Sequence, residues 1–187
     1  FDGTAGQLTA EAGVALGDIV ETFLPRGWFP AVTPGTRHGT LGGMLAADVH
    51  GKNHHKEGSI RNYVDWIDLL GPDGELRRCS PKRNAELFRW SLGGMGLTGV
   101  ILRAALRLKP VESGWIRQKT LACDGLAEAI DAIEDSLDWT YSVAWIDCLA
   151  SGSRLGRSLL MLGEHATRAE LDAAGKRDAI PAARRSR

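Results

Sequence analysis

The sequence predicts an α+β chain in two parts, with a glycine-rich segment up to about residue 110 and an antiparallel-sheet-plus-helix layer beyond it. Three observations carry this expectation. Most glycines fall before residue 110 and concentrate at 35–51 and 93–99. A Gly-Pro-Asp-Gly turn at 71–74 separates two strand-like runs. After Pro110 the text turns to an order of strand, helix, strand and strand.

Element by element, "LGDIVETFLPRG" (16–27) places Leu16, Ile19, Val20, Phe23 and Leu24 on one helical face and closes at Pro25 and Gly27. "VDWIDLLGPDGELRRCS" (64–80) reads as a β-hairpin around its turn. "NAELFRWSLG" (84–93) reads as a short helix. "LTGVILRAALRLKP" (97–110) reads as a strand, with Val100, Leu102 and Leu106 alternating against Arg103 and Arg107. Beyond it come strands in "GWIRQKTL", "TYSVAWIDCLA" and "RSLLMLGEHA". The helix "GLAEAIDAIEDSLD" carries Leu126, Ile130, Ile133 and Leu137 at spacings of three and four.

Composition narrows the function classes. The 23 basic and 23 acidic side chains cancel, which argues against nucleic acid as a partner. No apolar run approaches the roughly 18–20 residues needed to span a bilayer, and no basic-then-apolar signal segment opens the chain. Membrane association is therefore expected to be peripheral. Cys79, Cys123 and Cys148 are far apart and lack a CxxC spacing, so neither a disulfide framework nor a zinc ribbon is indicated. The chain reads as a fragment, opening on "FDGTAGQLTAEAGV" without Met and closing on the Ala/Arg-rich "GKRDAIPAARRSR", which offers no amphipathic pattern for packing.

Chemistry is concentrated in "TPGTRHGTLGGMLAADVHGKNHH". Glycine lets backbone N–H groups approach a ligand, and successive N–H groups in a turn form an anion nest suited to a pyrophosphate. GxxxxGK[ST] is absent, and the bare GxGxxG spacing at 94–99 follows a predicted helix and leads into a predicted strand, the reverse of the strand-to-helix context of a dinucleotide fingerprint, so tight turns are the plainer reading. The second cluster, "LGGMGLTGVI", could line the same extended ligand. In "HGKNHH", His50 and His54 stand at i, i+4, but Gly51 and the intervening Lys52-Asn53 disfavour a continuous helix and Lys52 would repel a cation. An anion or substrate site, a solvated polar loop and a metal site all remain open on these residues alone.

Four segments, "PGTRHGTLGGMLAADVHGKNHHKEGS", "WIDLLGPDGELRRCSP", "AELFRWSLGGMGLTGVILRA" and "YSVAWIDCLASGSRLGRS", resemble the FAD-containing oxidase subunits of decaprenylphosphoryl-β-D-ribose epimerases. These belong to the vanillyl-alcohol-oxidase/p-cresol-methylhydroxylase flavoprotein superfamily. The resemblance runs from about residue 10 to about 165. The Gly-Gly and GLTG elements are general to the superfamily, whereas "DVHGKNHH" and "YSVAWID" point to the subfamily.

The resemblance implies that residues 1–110 form the latter part of a PCMH-type FAD-binding domain and 111–187 the start of a substrate domain, with a poorly matching tail from about 166. It implies that Gly35, Thr40, Leu41, Gly42 and Gly43 wrap the pyrophosphate and ribityl of a non-covalently held FAD. Ala47, Asp48, Val49 and His50 would lie along the flavin and Ile101 near the adenosine end. His50, Gly51 and Lys52 would border the substrate pocket, Lys52 offering positive charge to the sugar phosphate or the reduced flavin. Trp145 would close that pocket, while His54 and His55 hold the loop by hydrogen bonds. Val143 stands where close relatives prefer a hydroxyl. No general base is assigned, and no metal.

The implied reaction is oxidation of the ribose secondary alcohol of a polyprenyl-phosphate-linked ribose to a keto sugar. An NADH-dependent short-chain reductase subunit would complete epimerisation to arabinose for cell-wall arabinan, at the bacterial cell envelope on the periplasmic or cytoplasmic membrane face. Two alternatives predict different behaviour. A sibling alditol or aldonolactone oxidase would accept free polyols. A non-catalytic anion- or metal-binding domain would be indifferent to flavin.

Overall fold

The computed structural model describes residues 1–181. The chain divides into two compact units, Phe1–Val111 and Glu112–Arg187.

The first unit is built on an antiparallel sheet of order β1-β5-β3-β4, from β1 (Gln7–Glu11), β3 (Val64–Leu70), β4 (Leu76–Cys79) and β5 (Val100–Pro110). A short β2 (Trp28–Pro30) pairs with the far end of β5. The eleven-residue β5 is the spine, and Ala104 and Ala105 at its middle are completely buried between the β1 and β3 partners. Its alternation differs from the sequence expectation. Val100 and Leu102 are exposed, and the inward residues are Ile101, Ala104, Leu106 and Leu108. The cause is an irregularity in the ladder, where Asp68 pairs with Arg103 but Leu69 pairs with Ile101. Leu102 is the extra residue, and one extra residue shifts the period-two pattern to the other face.

The hairpin forms as the sequence predicts, with Ile67 opposite Cys79 and Leu70 opposite Leu76. Asp73 in its turn accepts from Arg77 and from the N–H of Glu75. Within the sheet, Asp68 has a side chain only 5% exposed and accepts from both Arg78 and Arg103. The Arg78 guanidinium also lies 3.7 Å over the Trp66 ring.

Against this sheet pack α1 (Leu16–Phe23), α2 (Leu41–Ala46) and α4 (Ala85–Ser91), while the four-residue α3 (His54–Glu57) buries none of its residues. The first helix buries Leu16, Ile19 and Phe23. It stops short of the forecast end because Pro25 sits in a 3-10 turn, Leu24–Arg26, closed by left-handed Gly27. Leu41 and Leu45 of α2 are fully buried with Ile60, Ile67 and Leu69, each such side chain contributing roughly 1.5–3 kcal/mol by leaving water.

The second unit carries a three-stranded antiparallel sheet of order β6-β8-β7, from β6 (Ile116–Cys123), β7 (Tyr141–Ile146) and β8 (Ser158–His165). Two helices accompany it, α5 (Leu126–Glu134) and α6 (Arg168–Ala173). The leucine-isoleucine stripe of α5 is not its packed face. Leu126, Ile130, Ile133 and Leu137 are exposed, whereas Ala129 is buried and Ala132 half-buried against Cys123, Leu160 and Leu162. Small side chains let the helix axis approach the sheet, and the larger stripe is left outward.

Downstream, α6 opens on a capping box between Thr167 and Glu170. The segment after it is tied back although it lacks an amphipathic pattern. The N–H of Gly114 donates to Ala179 O at 2.9 Å, and Trp115 Nε1 donates to Asp178 O at 2.9 Å. Residues 182–187 of the Ala/Arg-rich tail lie outside the described residues. Among the described residues, no helix is long and apolar enough to cross a membrane.

Candidate functional site

The "GTLGGMLA" stretch is a short helix rather than an open turn. Thr40, in extended conformation, caps α2 and its Oγ1 accepts from Gly43 N at 3.2 Å. The Leu41 N–H donates to Val14 O and the Gly42 N–H to Ala12 O, each at 2.8 Å, and Met44 N–H to Thr40 O. These four donors are thus used inside the fold, and the expected anion nest is not formed by them. What the glycines supply is proximity. A Cβ on Gly42 would stand 2.7 Å from the Cβ of Ala12, closer than side chains can come.

Beside α2 lies a cleft of about 420 Å³ lined by Ala12, Gly13, Thr40, Gly42, Gly43, Ala46, Ser91, Gly96, Gly99, Val100 and Ile101. Both glycine clusters of the sequence therefore meet on one cavity. Its walls bear no charged side chain. Ser91 Oγ donates to Leu87 O at 2.7 Å and stands 2.8 Å from Thr98 Oγ1. A surface of glycine, alanine and short aliphatic groups fits a ligand that binds by close backbone approach, as an extended dinucleotide such as FAD does.

Of the residues singled out in the sequence, Thr40, Gly42, Gly43 and Ile101 line this cleft. Leu41 turns its side chain into the core. Gly35 lies on a separate 230 Å³ depression with Gly17, Val20, Phe29 and Arg37. Ala47 is exposed, and Val49 is half-buried against the core. Asp48 adopts left-handed φ of 45° and pairs with Arg61. The cleft residues outside both glycine clusters, and not foreseen, are Ala12, Gly13 and Ser91. The small pair Ala12-Gly13, just before a helix, was the available signal.

The "HGKNHH" segment is a bridged loop running into α3. His50 pairs with Ser59 across an isolated bridge, and its ring meets that of His54 edge-on at 5.2 Å. Gly51 passes so close to the 31–33 strand exit that a Cβ would be 2.8 Å from Thr33 O. Asn53 is buried, and its Nδ2 donates to Ala31 O at 2.6 Å. Lys52 and His50 are exposed, as are His54 and His55 on α3. At the end of α3, Glu57 accepts from the Tyr63 hydroxyl and from Lys109 Nζ at 3.3 Å. Burial first, and then the hydrogen bond to Glu57, push the Tyr63 hydroxyl up to about 12. Among the described residues, no three His, Cys, Asp or Glu side chains are grouped to hold a metal ion.

In the second unit Trp145 is 68% exposed on β7. It lines a depression of about 420 Å³ with Ala122, Asp124, Asp147, Arg157, Ser158 and Leu159 among others. Arg157 and Asp147 pair at its rim. Val143 is half-buried opposite Met161.

Residues 1–80 match the family described as FAD binding domain. The chain is 36% identical over 173 residues to decaprenylphosphoryl-beta-D-ribose oxidase of Mycolicibacterium smegmatis, covering 91% of the chain and 38% of that protein. It is 36% identical over 154 residues to a Streptomyces coelicolor protein named only for the mprA 5′ region, covering 82% of the chain and 41% of that protein. It is also 34% identical over 103 residues to cytokinin dehydrogenase 5 of Arabidopsis thaliana, covering 54% of the chain and 19% of that protein. The chain thus spans about two fifths of the length of the first two relatives.

Proposed function

We propose, from the match of residues 1–80 to the FAD binding domain family, that this chain is the cofactor-holding part of a flavin-dependent oxidase acting on a polyprenyl-phosphate-linked ribose. The observation that carries the cofactor half of the reading is the single uncharged cleft on which both glycine clusters converge. The substrate half is supported by the similarity to the M. smegmatis oxidase across 91% of the chain.

In this reading residues 1–110 are the latter part of the FAD-binding domain and 111–187 begin the substrate domain. Thr40, Gly42, Gly43 and Ile101 shape the groove for the extended part of the cofactor, while Leu41 anchors α2 through its buried side chain and Gly35 lies on a separate depression. Ala47, Asp48, Val49 and His50 continue toward the flavin. When bound, FAD would supply the acceptor for the hydride that leaves the carbinol carbon, while the hydroxyl proton passes to a base or to water, as the sugar alcohol becomes a ketone. The chain's own contribution is to orient and to shield. His50, Gly51 and Lys52 border the sugar, where the exposed Lys52 ammonium answers the charge of the phosphate. Trp145 offers its open indole face to a sugar ring. A reductase subunit would deliver a hydride from NADH to the other face of the ketone, with a proton to its oxygen, and yield arabinose. The lipid-linked substrate calls for peripheral work at the envelope membrane.

The test is a titration of the chain with FAD, followed by quenching of flavin fluorescence, with Gly43→Trp filling the cleft as control. Saturable binding that the Trp variant lacks is expected. Equal binding by both proteins would dismiss the cleft as the cofactor site. No binding by the chain or by a longer protein containing it would dismiss the flavoprotein reading.

A further inference from the structure

Asp48, Arg61 and Leu92 come from three separate segments: the exit of α2, the 3-10 turn Ile60–Tyr63 and the end of α4. They meet through one guanidinium. Arg61 Nε donates to Asp48 Oδ2, its backbone N–H donates to Asp48 Oδ1 at 3.2 Å, and Nη2 donates to Leu92 O at 2.7 Å. Gly93, with φ of 85°, passes directly beneath, where a Cβ would lie 3.0 Å from Arg61 Nη2 and 3.2 Å from the Asp48 Cβ. Two backbone bonds complete the junction, Gly93 N–H to Leu45 O at 3.0 Å and Met95 N–H to Ala46 O at 2.9 Å.

The two segments joined here are the two walls of the cleft. One carries Gly42, Gly43 and Ala46, the other Ser91, Gly96 and Gly99. We propose that Arg61 is a positioning residue for the cofactor: its fork clamps the exit of α2 to the loop after α4 and fixes the width of the groove between them. Arg61 does not line the cleft and its side chain is 44% exposed, so it is not a core residue. Lysine cannot replace it fully, because one ammonium cannot span a carboxylate and a carbonyl on separate segments in a planar fork. The clamp also holds two residues in left-handed conformation, Asp48 at φ 45° and Met95 at φ 51°, backbone geometry that needs support from its surroundings. Arg61 further neutralises the Asp48 carboxylate, which would otherwise present negative charge beside a site meant for an anionic dinucleotide.

This inference rests on the FAD reading of the cleft, and the experiment separates the two. Wild type, Arg61→Ala and Arg61→Lys are compared by FAD titration, by the shape of the flavin visible band, and by amide hydrogen exchange at Gly93 and Met95. Arg61→Ala is expected to weaken FAD binding about tenfold, the scale of losing a charge-assisted hydrogen bond, and to speed exchange at those two amides while Leu41 and Gly42 keep wild-type protection. Arg61→Lys recovers part of the affinity and part of the band shape, a graded rescue that general destabilisation would not give. Intact exchange and intact affinity in Arg61→Ala would overturn the clamp. Faster exchange in Arg61→Ala, with no FAD bound by wild type or by a longer protein containing it, would overturn the cofactor reading and the role given to Arg61 within it.

Discussion

Replacing Gly42 with alanine sets two terms against each other. Alanine in a helix interior is favoured over glycine by about 1 kcal/mol, and Gly42 has no positive φ that would oppose it. On that ground alone the variant would be the more stable protein. The added methyl, however, would stand 2.7 Å from the Ala12 Cβ and 3.4 Å from Ala12 O. Relief requires α2 to move away from the 12–14 segment by nearly 1 Å, which stretches the 2.8 Å bonds from Gly42 N–H to Ala12 O and from Leu41 N–H to Val14 O. Overpacking costs about 1–3 kcal/mol, and two weakened hydrogen bonds add roughly 0.5–1.5 kcal/mol each. The net is a loss of about 1–5 kcal/mol, which for a chain of this size lowers Tm by about 2–4 °C per kcal/mol. Gly13→Ala is the matched control, because a Cβ there meets nothing within 4 Å. Differential scanning calorimetry of the three proteins decides the matter. A Gly42→Ala variant that melts at or above wild type would show that helix propensity outweighs the contact and that α2 does not depend on close approach to Ala12.

Asp68→Asn is expected to cost about 1–3 kcal/mol at neutral pH, since Arg78 and Arg103 lose an ionised partner but are exposed enough to regain water. Hydrogen bonding from Arg78 holds the Asp68 carboxyl below the usual carboxylate range despite its burial. Its contribution is therefore complete above the unfolded value of about 3.9 and is lost as pH falls through the lower folded value. Urea melts of the two proteins should converge at acid pH, and a gap that widens there would contradict this pairing. Thiol titration with a disulfide reagent should modify Cys148 quickly in the native protein, with Cys79 and Cys123 reacting only in denaturant, because the first is exposed and the others are buried. Rapid modification of all three would mean that the strand ends carrying Cys79 and Cys123 open readily.

The sequence was most legible where one local rule decides the outcome. The hairpin at 64–79 follows from its turn residues, and α1 ends where Pro25 makes it end. It was least legible where the answer depends on what lies opposite. Leu126, Ile130 and Ile133 have the spacing of a buried stripe, yet α5 packs through Ala129 and Ala132 against Cys123, Leu160 and Leu162. Periodicity identifies a helix but not which of two apolar faces is covered. On β5, Leu106 stays inward as its alternation predicts, but the extra residue Leu102 puts Ile101 inward in place of Val100, and nothing local in "VILRAAL" marks it. At the candidate site, glycine content marked both segments that meet at the cleft. It did not reveal that the Leu41–Met44 donors are consumed internally, since Ala12 and Val14 reach them only through the fold. Arg61 carried no signal at all, because its partners lie 13 and 31 residues away.

The uncharged lining of the cleft makes ionic strength a poor lever on whatever it holds. A site that grips a dinucleotide with lysines or arginines loosens as salt rises, because mobile ions compete for the same charges. Here the walls are glycine, alanine, valine, isoleucine and two hydroxyl-bearing residues. At about 1 M salt, where the Debye length is about 3 Å, there is no wall charge to screen, so retention in this groove is governed by shape and dehydration. On the FAD reading proposed above, cofactor held in this groove is expected to survive high-salt chromatography and to be released by agents that loosen packing, such as urea or moderate heat.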